Sequence, residues 1–203
     1  MQQRPNIVFY FSDQQRWDTL GCYGQRLDVT PNLDALAAGG TRYENAFTCQ
    51  PVCGPARACL QTGRYATEIG CEINGFALPF GRVKTLAQCF NEAGYATGYV
   101  GKWHLATDRL AGIDYEQSAI PAERRGGYKD YWMAADVLEF TSHGYNGYVY
   151  NADNERVPFM GYRADCINNF AIDFLHGRKE QVEPFFLFIS QIEPHHQNDR
   201  RRY

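Results

Sequence analysis

Along the chain, short apolar runs alternate with amphipathic stretches, and three of the apolar runs end in a polar cluster. The first run, NIVFYF at 6–11, is β-branched and aromatic with polar residues on both sides, the pattern of a buried strand. It ends at Ser12-Asp13-Gln14-Gln15. TPNLDALAAGG, 30–40, predicts a short helix with Thr30 as cap, Pro31 at its first position and Gly39-Gly40 as its stop. A strand is expected over 41–47, then a loop carrying Cys53 and a helix from about Pro55 to Gln61 that stops at Gly63. KTLAQCFNEAG, 84–94, predicts an amphipathic helix with a glycine stop. It leads into YATGYVGKWHL, a strand ending at Lys102-Trp103-His104. Residues 106–157 are rich in Gly, Tyr and charge with weak periodicity, and read as a long irregular insertion or active-site border. A helix over 162–176 precedes the strand PFFLFISQI at 184–192, which ends at Glu193-Pro194-His195-His196.

The order βαβαβ…αβ predicts the α/β class, an αβα sandwich with a mostly parallel central sheet. In such sheets ligands bind at the carboxyl edge, where all three polar clusters fall. The length of 203 residues suits one sizeable domain, with no internal repeat or low-complexity linker. The sequence stops at NDRRRY, directly after the third cluster and without a closing element. The expectation is therefore that residues 1–203 are the N-terminal portion of a longer catalytic domain, incomplete at the C-terminus.

Composition narrows the function class. Hydrophobic residues make up 44% and charged residues 21%, ordinary for a globular protein. The formal net charge of −3 argues against a general nucleic-acid partner, because there is no basic surplus to neutralise phosphates. No apolar stretch is long enough to span a bilayer, and the start lacks an apolar leader region, so no membrane role and a cytoplasmic location are expected. The seven cysteines are odd in number and lack C-x-x-C spacing, which fits reduced core residues rather than a disulfide framework or a zinc site.

One cysteine keeps different company. In PVCGPARACLQTGR, 51–64, Cys53 precedes Pro55 at the mouth of the expected helix, where free N–H groups and the dipole favour an oxyanion or thiolate. Arg57 follows by four residues, one helical turn, so its guanidinium can fold back toward residue 53. Cys53, Pro55, Arg57, Leu60, Thr62, Gly63 and Arg64 together resemble the signature of the type I sulfatases of the alkaline phosphatase superfamily. Ala56 stands where serine is commoner, and Gln61 where an apolar residue is usual. GYATGYVGKWH, 94–104, resembles the second signature of that family, and RPNIVFYFSDQQRWDTLGCYG and TPNLDALAAGGTRYENAF resemble its opening.

The resemblance implies sulfate-ester hydrolysis through a Cα-formylglycine made from Cys53 by a formylglycine-generating enzyme. A hydrated aldehyde suits that chemistry: one hydroxyl attacks sulfur, and loss of the second hydroxyl's proton expels sulfate. A serine would be left as a stable sulfate ester. The resemblance also implies one divalent metal, Ca²⁺ first with Mg²⁺ or Mn²⁺ as alternatives, held by Asp13, Gln14 and residue 53. Asp13-Gln14 replaces the family's commoner pair of aspartates and keeps a phosphonate monoester hydrolase or phosphodiesterase of the same superfamily as the second reading. Arg57 and Lys102 would stabilise charge, His104 would orient or deprotonate the hydrate, and His195 would serve as general acid. Trp103 reads as packing, and His143 and His176 as ordinary surface histidines. The implied substrate is a small-molecule or saccharide sulfate ester. Because the family's remaining metal ligands come from a later strand, a catalytically inert fragment is the reading from another class.

Overall fold

The computed structural model describes residues 4–195. Within them the strands are β1 (Ile7–Phe11), β2 (Ala96–Lys102), β3 (Tyr131–Ala135), β4 (Asn146–Tyr150), β5 (Arg156–Met160) and β6 (Phe185–Ser190). The helices are α1 (Pro31–Gly39), α2 (Cys53–Thr62), α3 (Ala66–Ile69), α4 (Leu86–Glu92), α5 (Leu138–Thr141) and α6 (Arg163–Gly177). All six strands form one sheet in the order β1-β6-β2-β3-β4-β5. The first four of these run parallel, and β3–β4 and β4–β5 pair antiparallel.

β2 and β6 are buried at every position because both faces of the sheet are covered. On one face Phe186 and Phe188 join Tyr99, Trp103 and Trp132 under Ala58 of α2, Ile69 of α3 and Ala87 of α4. On the other, Phe185, Leu187 and Ile189 join Val100 under Ile167, Ala171 and Phe174 of α6. The period-two alternation of β6 thus fills two cores at once and produces the αβα layers. Phe188 stacks on Phe9 at 4.7 Å and on Tyr99 at 5.2 Å, tying β1, β6 and β2 through one ring. Each fully buried large apolar side chain contributes about 1.5–3 kcal/mol. Trp103 lies wholly inside, edge-on to Tyr99, as packing requires.

Two glycines let the layers approach. A Cβ at Gly98 would lie 3.0 Å from Leu187 and 3.1 Å from Phe174. At Gly101, φ is 102° and a Cβ would lie 2.0 Å from the Ser190 carbonyl oxygen, so only glycine fits between β2 and β6 there. α4 opens with a capping box in which Thr85 accepts from the Gln88 amide and the Gln88 side chain accepts from the Thr85 amide.

Three expectations are corrected. Residues 41–47 form no strand: they are exposed, with Tyr23 donating to the Tyr43 carbonyl, Arg42 pairing with Glu44 and Arg42 Nη1 donating to the Cys22 carbonyl. Of the two readings given for residues 106–157, the irregular insertion is corrected, since they supply β3, α5 and β4 and run into β5, whereas Arg109, Glu116, Val137, Glu139 and Phe140 do border the cleft described below. β1 is half-buried rather than buried. Among the described residues it pairs only with β6, and Val8 and Tyr10 are left about half exposed. None of the residues of α1 is buried. Among the described residues no helix is long and apolar enough to cross a membrane.

Candidate active site

β1, β6 and β2 are adjacent and parallel, so their carboxyl ends open onto one edge of the sheet, and α2 begins there. A cleft of about 1240 Å³ occupies that edge and is lined by Asp13, Gln14, Cys53, Arg57, Lys102, His104, Glu139 and His195, among others. The structure therefore brings together Asp13, Gln14, Cys53, Arg57, Lys102, His104 and His195, the candidate catalytic and metal-binding residues of the sequence. His196 lies outside the described residues.

Asp13 follows β1 and is 6% exposed. Arg57 Nη2 and Lys102 Nζ both donate to its Oδ2, each at 3.0 Å. Burial on its own would raise the Asp13 carboxyl, but the charges and hydrogen bonds of Arg57 and Lys102 outweigh it and hold it below the ordinary value. Arg57 Nη1 donates to the Lys102 carbonyl at 2.8 Å and to Ser190 Oγ at 2.5 Å. Its guanidinium also lies over the Phe11 ring at 5.1 Å. One buried side chain on α2 thus fastens the ends of all three strands. The Lys102 carbonyl takes a further bond from Tyr99 Oη at 2.6 Å.

Cys53 is the first residue of α2, with Val52 as its extended cap and Pro55 inside the first turn. The Gly54 amide donates to Asn74 Oδ1 at 2.8 Å, and a Cβ on Gly54 would lie 3.1 Å from that oxygen. Glycine after the cysteine lets Asn74 close over the helix mouth. Arg64, one further motif residue, lines the cleft but pairs with Glu68 at the surface.

His104 has φ 59°, a left-handed backbone for a side chain that rarely takes it. Its Nδ1 is buried without a hydrogen-bond partner among the described residues. Burial first, then the charges of Lys102 and Arg57, push its pKa well below the ordinary value, so the ring is neutral at pH 7 and able to accept a proton. Asp136 holds the segment that follows: its carboxylate accepts from the Leu105, Ala106 and Thr107 amides at 2.9, 3.0 and 2.9 Å.

The donor set at the front of the cleft fits a divalent cation. Asp13, Cys53 and His195 each offer a ligand atom, and these atoms lie within 4.8 Å of one another. Gln14, at φ 56°, lines the same cleft and adds an amide oxygen of the hard type such ions prefer. His195 is 7% exposed and is placed here by its own amide donating to the Ile192 carbonyl at 2.9 Å.

Four contributors carry no sequence signal of their own. Glu139 on α5 pairs with Lys102 Nζ, Ser190 ends β6, Asn74 caps α2, and Asp136 holds 105–107. Glu139 and Asp136 fall in the segment read as irregular. Only the observation that buried Lys102 needs a counter-charge points toward a residue like Glu139.

Residues 5–203 match the sulfatase family. The chain is 38% identical to the uncharacterized sulfatase YidJ of Escherichia coli over 96% of its own length and 39% of that protein's. It is 37% identical to an ulvan-active sulfatase of Formosa agariphila over 95% and 36%. With human arylsulfatase A the identity is 42% over 95% and 41%. The chain spans about two fifths of the length of these relatives. The structure resembles that of the putative sulfatase yidJ from Bacteroides fragilis with a TM-score of 0.81 and 30% identity, over 97% of this chain and 45% of that one. It resembles a structure solved with its substrate D-glucosamine-2-N,6-O-disulfate with a TM-score of 0.78 and 30% identity, over 95% and 35%. The phosphonate monoester hydrolase of Agrobacterium radiobacter shares the fold, with a TM-score of 0.62 and 23% identity over 95% and 41%.

Proposed function

We propose that this chain, which belongs to the sulfatase family, is the part of a sulfate-ester hydrolase that carries the nucleophile and most of the anion-binding groups. The observation that carries the reading is the placement of Cys53 at the mouth of α2. It faces one cleft with buried Arg57 and Lys102, neutral His104 and buried His195. Two cations anchored by hydrogen bonds, a neutral base and a second histidine are what the transfer of a sulfuryl group to water needs.

That geometry supports the following roles. Lys102, wholly buried, presents its ammonium to the sulfuryl oxygens and stabilises the charge that grows on them. Arg57 acts one step back, holding Asp13 and the Lys102 carbonyl in place. His104, neutral and with Nδ1 unpaired, accepts the proton released as the nucleophile attacks. His195 gives a proton to the leaving alcohol oxygen as the S–O bond breaks. Asp13, Gln14 and residue 53 would hold the divalent cation, of which Ca²⁺ suits an oxygen-rich set. When bound, the cation polarises the sulfuryl oxygens, and residue 53, once oxidised to formylglycine and hydrated, supplies the oxygen nucleophile.

The relatives favour a saccharide ester as substrate: one is named for ulvan, and one structure holds a sulfated glucosamine. The test is the mass of the peptide containing Cys53, from protein made alongside a formylglycine-generating activity. Aldehyde in place of thiol is expected. An unmodified thiol under those conditions refutes the reading of CGPAR as a maturation signal. A rate on an aryl phosphonate monoester that exceeds the aryl sulfate rate by orders of magnitude would move the enzyme to phosphorus.

A further inference from the structure

Lys102 is wholly buried, yet its ammonium is shared between two carboxylates, Asp13 at 3.0 Å and Glu139. The two are differently placed. Asp13 is also held by Arg57, so its charge is compensated without Lys102. Glu139 has one oxygen on Lys102, and its other, Oε2, is buried with no hydrogen-bond partner among the described residues. The buried charges at the back of the cleft are then two cations, Arg57 and Lys102, against two carboxylates, Asp13 and Glu139. A pocket built only to capture an anion would not place an under-bonded carboxylate on the ammonium that must receive it.

We infer that Glu139 competes with bound sulfate for the Lys102 ammonium and so speeds release of the sulfate product. The inference rests on the reading of the cleft as a sulfate-ester site. While the ester is being cleaved, Lys102 turns its ammonium toward the sulfuryl oxygens. After cleavage the free sulfate carries an additional negative charge beside Glu139. Glu139 repels that dianion and draws Lys102 back, which a neutral side chain of the same shape does not do. Glu139 is a positioning residue acting through Lys102, and its effect falls on product affinity rather than on the bond-breaking step.

The experiment is isothermal titration of inorganic sulfate into the full-length, metal-loaded protein and its Glu139→Gln variant, with the product-inhibition constant measured alongside. Removing one unit charge a few ångströms from a partly screened anion tightens binding by about tenfold or more. The expected result is a sulfate dissociation constant and an inhibition constant both lower by about that factor in Glu139→Gln. Equal or weaker sulfate binding by a folded Glu139→Gln overturns the inference and leaves the reading of the site intact. Absence of sulfate binding by both proteins overturns that reading and the inference with it. If Glu139→Gln does not fold, Glu139→Asp decides. It keeps the charge but retracts it by one methylene, and several-fold tighter sulfate binding is expected, with no change counting against the inference.

Discussion

Arg57→Met tests whether one side chain fastens the three strand ends. Methionine follows the course of the arginine stem, so the perturbation is chiefly the loss of the guanidinium. Three hydrogen bonds go: to Asp13 Oδ2 at 3.0 Å, to the Lys102 carbonyl at 2.8 Å and to Ser190 Oγ at 2.5 Å. The largest penalty is on Asp13, which among the described residues keeps only Lys102, a cation already shared with Glu139. Breaking a buried pair by removing one partner costs about 3–5 kcal/mol. The Lys102 carbonyl retains Tyr99, which moderates its share. We therefore expect a loss of about 4 kcal/mol. With a urea slope of about 2 kcal/mol/M, the unfolding midpoint falls by about 2 M. The double variant Arg57→Met/Asp13→Asn should cost less than the sum of the two singles by about 2 kcal/mol, since the stranded charge is gone. Arg57→Lys should recover little, because an ammonium cannot reach acceptors on three strands in the geometry of a planar fork. A loss below about 1 kcal/mol for Arg57→Met, or additivity within about 0.5 kcal/mol in the cycle, would refute the reasoning.

Gly101→Ala places a Cβ 2.0 Å from the Ser190 carbonyl oxygen at φ 102°, so β2 and β6 must part at the site edge. A loss of about 3 kcal/mol in thermal or urea unfolding is expected, and a loss under about 1 kcal/mol would show that the contact relaxes freely. His104 gives the pH test. Burial and two neighbouring cations lower its folded-state pKa well below 6.5, so between the two values the unfolded chain binds more protons. Its contribution to stability is therefore lost as pH falls from about 6.5 toward the depressed value. His104→Asn, which tolerates the left-handed backbone, should flatten the dependence of the urea midpoint between pH 7.5 and 5, and identical slopes would count against it.

The strands that sequence patterning captured are those whose burial is two-sided or whose end carries a motif. β6 and β2 read as continuous apolar segments because helices cover both faces. β1 carries the same kind of run, yet two of its five side chains stand half exposed. The run records only that a strand forms; edge or centre is decided by strand order. The misread segment 106–157 fails for the opposite reason. β3, β4 and β5 are five residues each; β4 holds two tyrosines and Gly147, and β5 carries Pro158. Proline is admissible there because β5 is the outermost strand, a fact visible only once the sheet is assembled. Residues 41–47 erred the other way: Tyr43 and Phe47 suggest a strand, but among the described residues the segment pairs with none.

The site divides along the same line. Cys53 and Arg57 lie one helical turn apart, and Lys102 and His104 two residues apart, so local spacing alone can bring them into view. Ser190 joins them because β6, the last described strand, inserts between β1 and β2, Asp136 and Glu139 because β3 pairs with β2, and Asn74 through its bond to the Gly54 amide. That insertion sets Ser190 beside Gly101 and beneath Arg57, closing a path from α2 to three strands. Asp136 plays the corresponding part for His104. A left-handed backbone at a histidine is costly and persists only where the surroundings over-determine it. Three consecutive amides on one buried carboxylate, directly after His104, are such a constraint. The motif thus names groups that line the cleft, and the residues outside it hold those groups in conformations they would not keep alone.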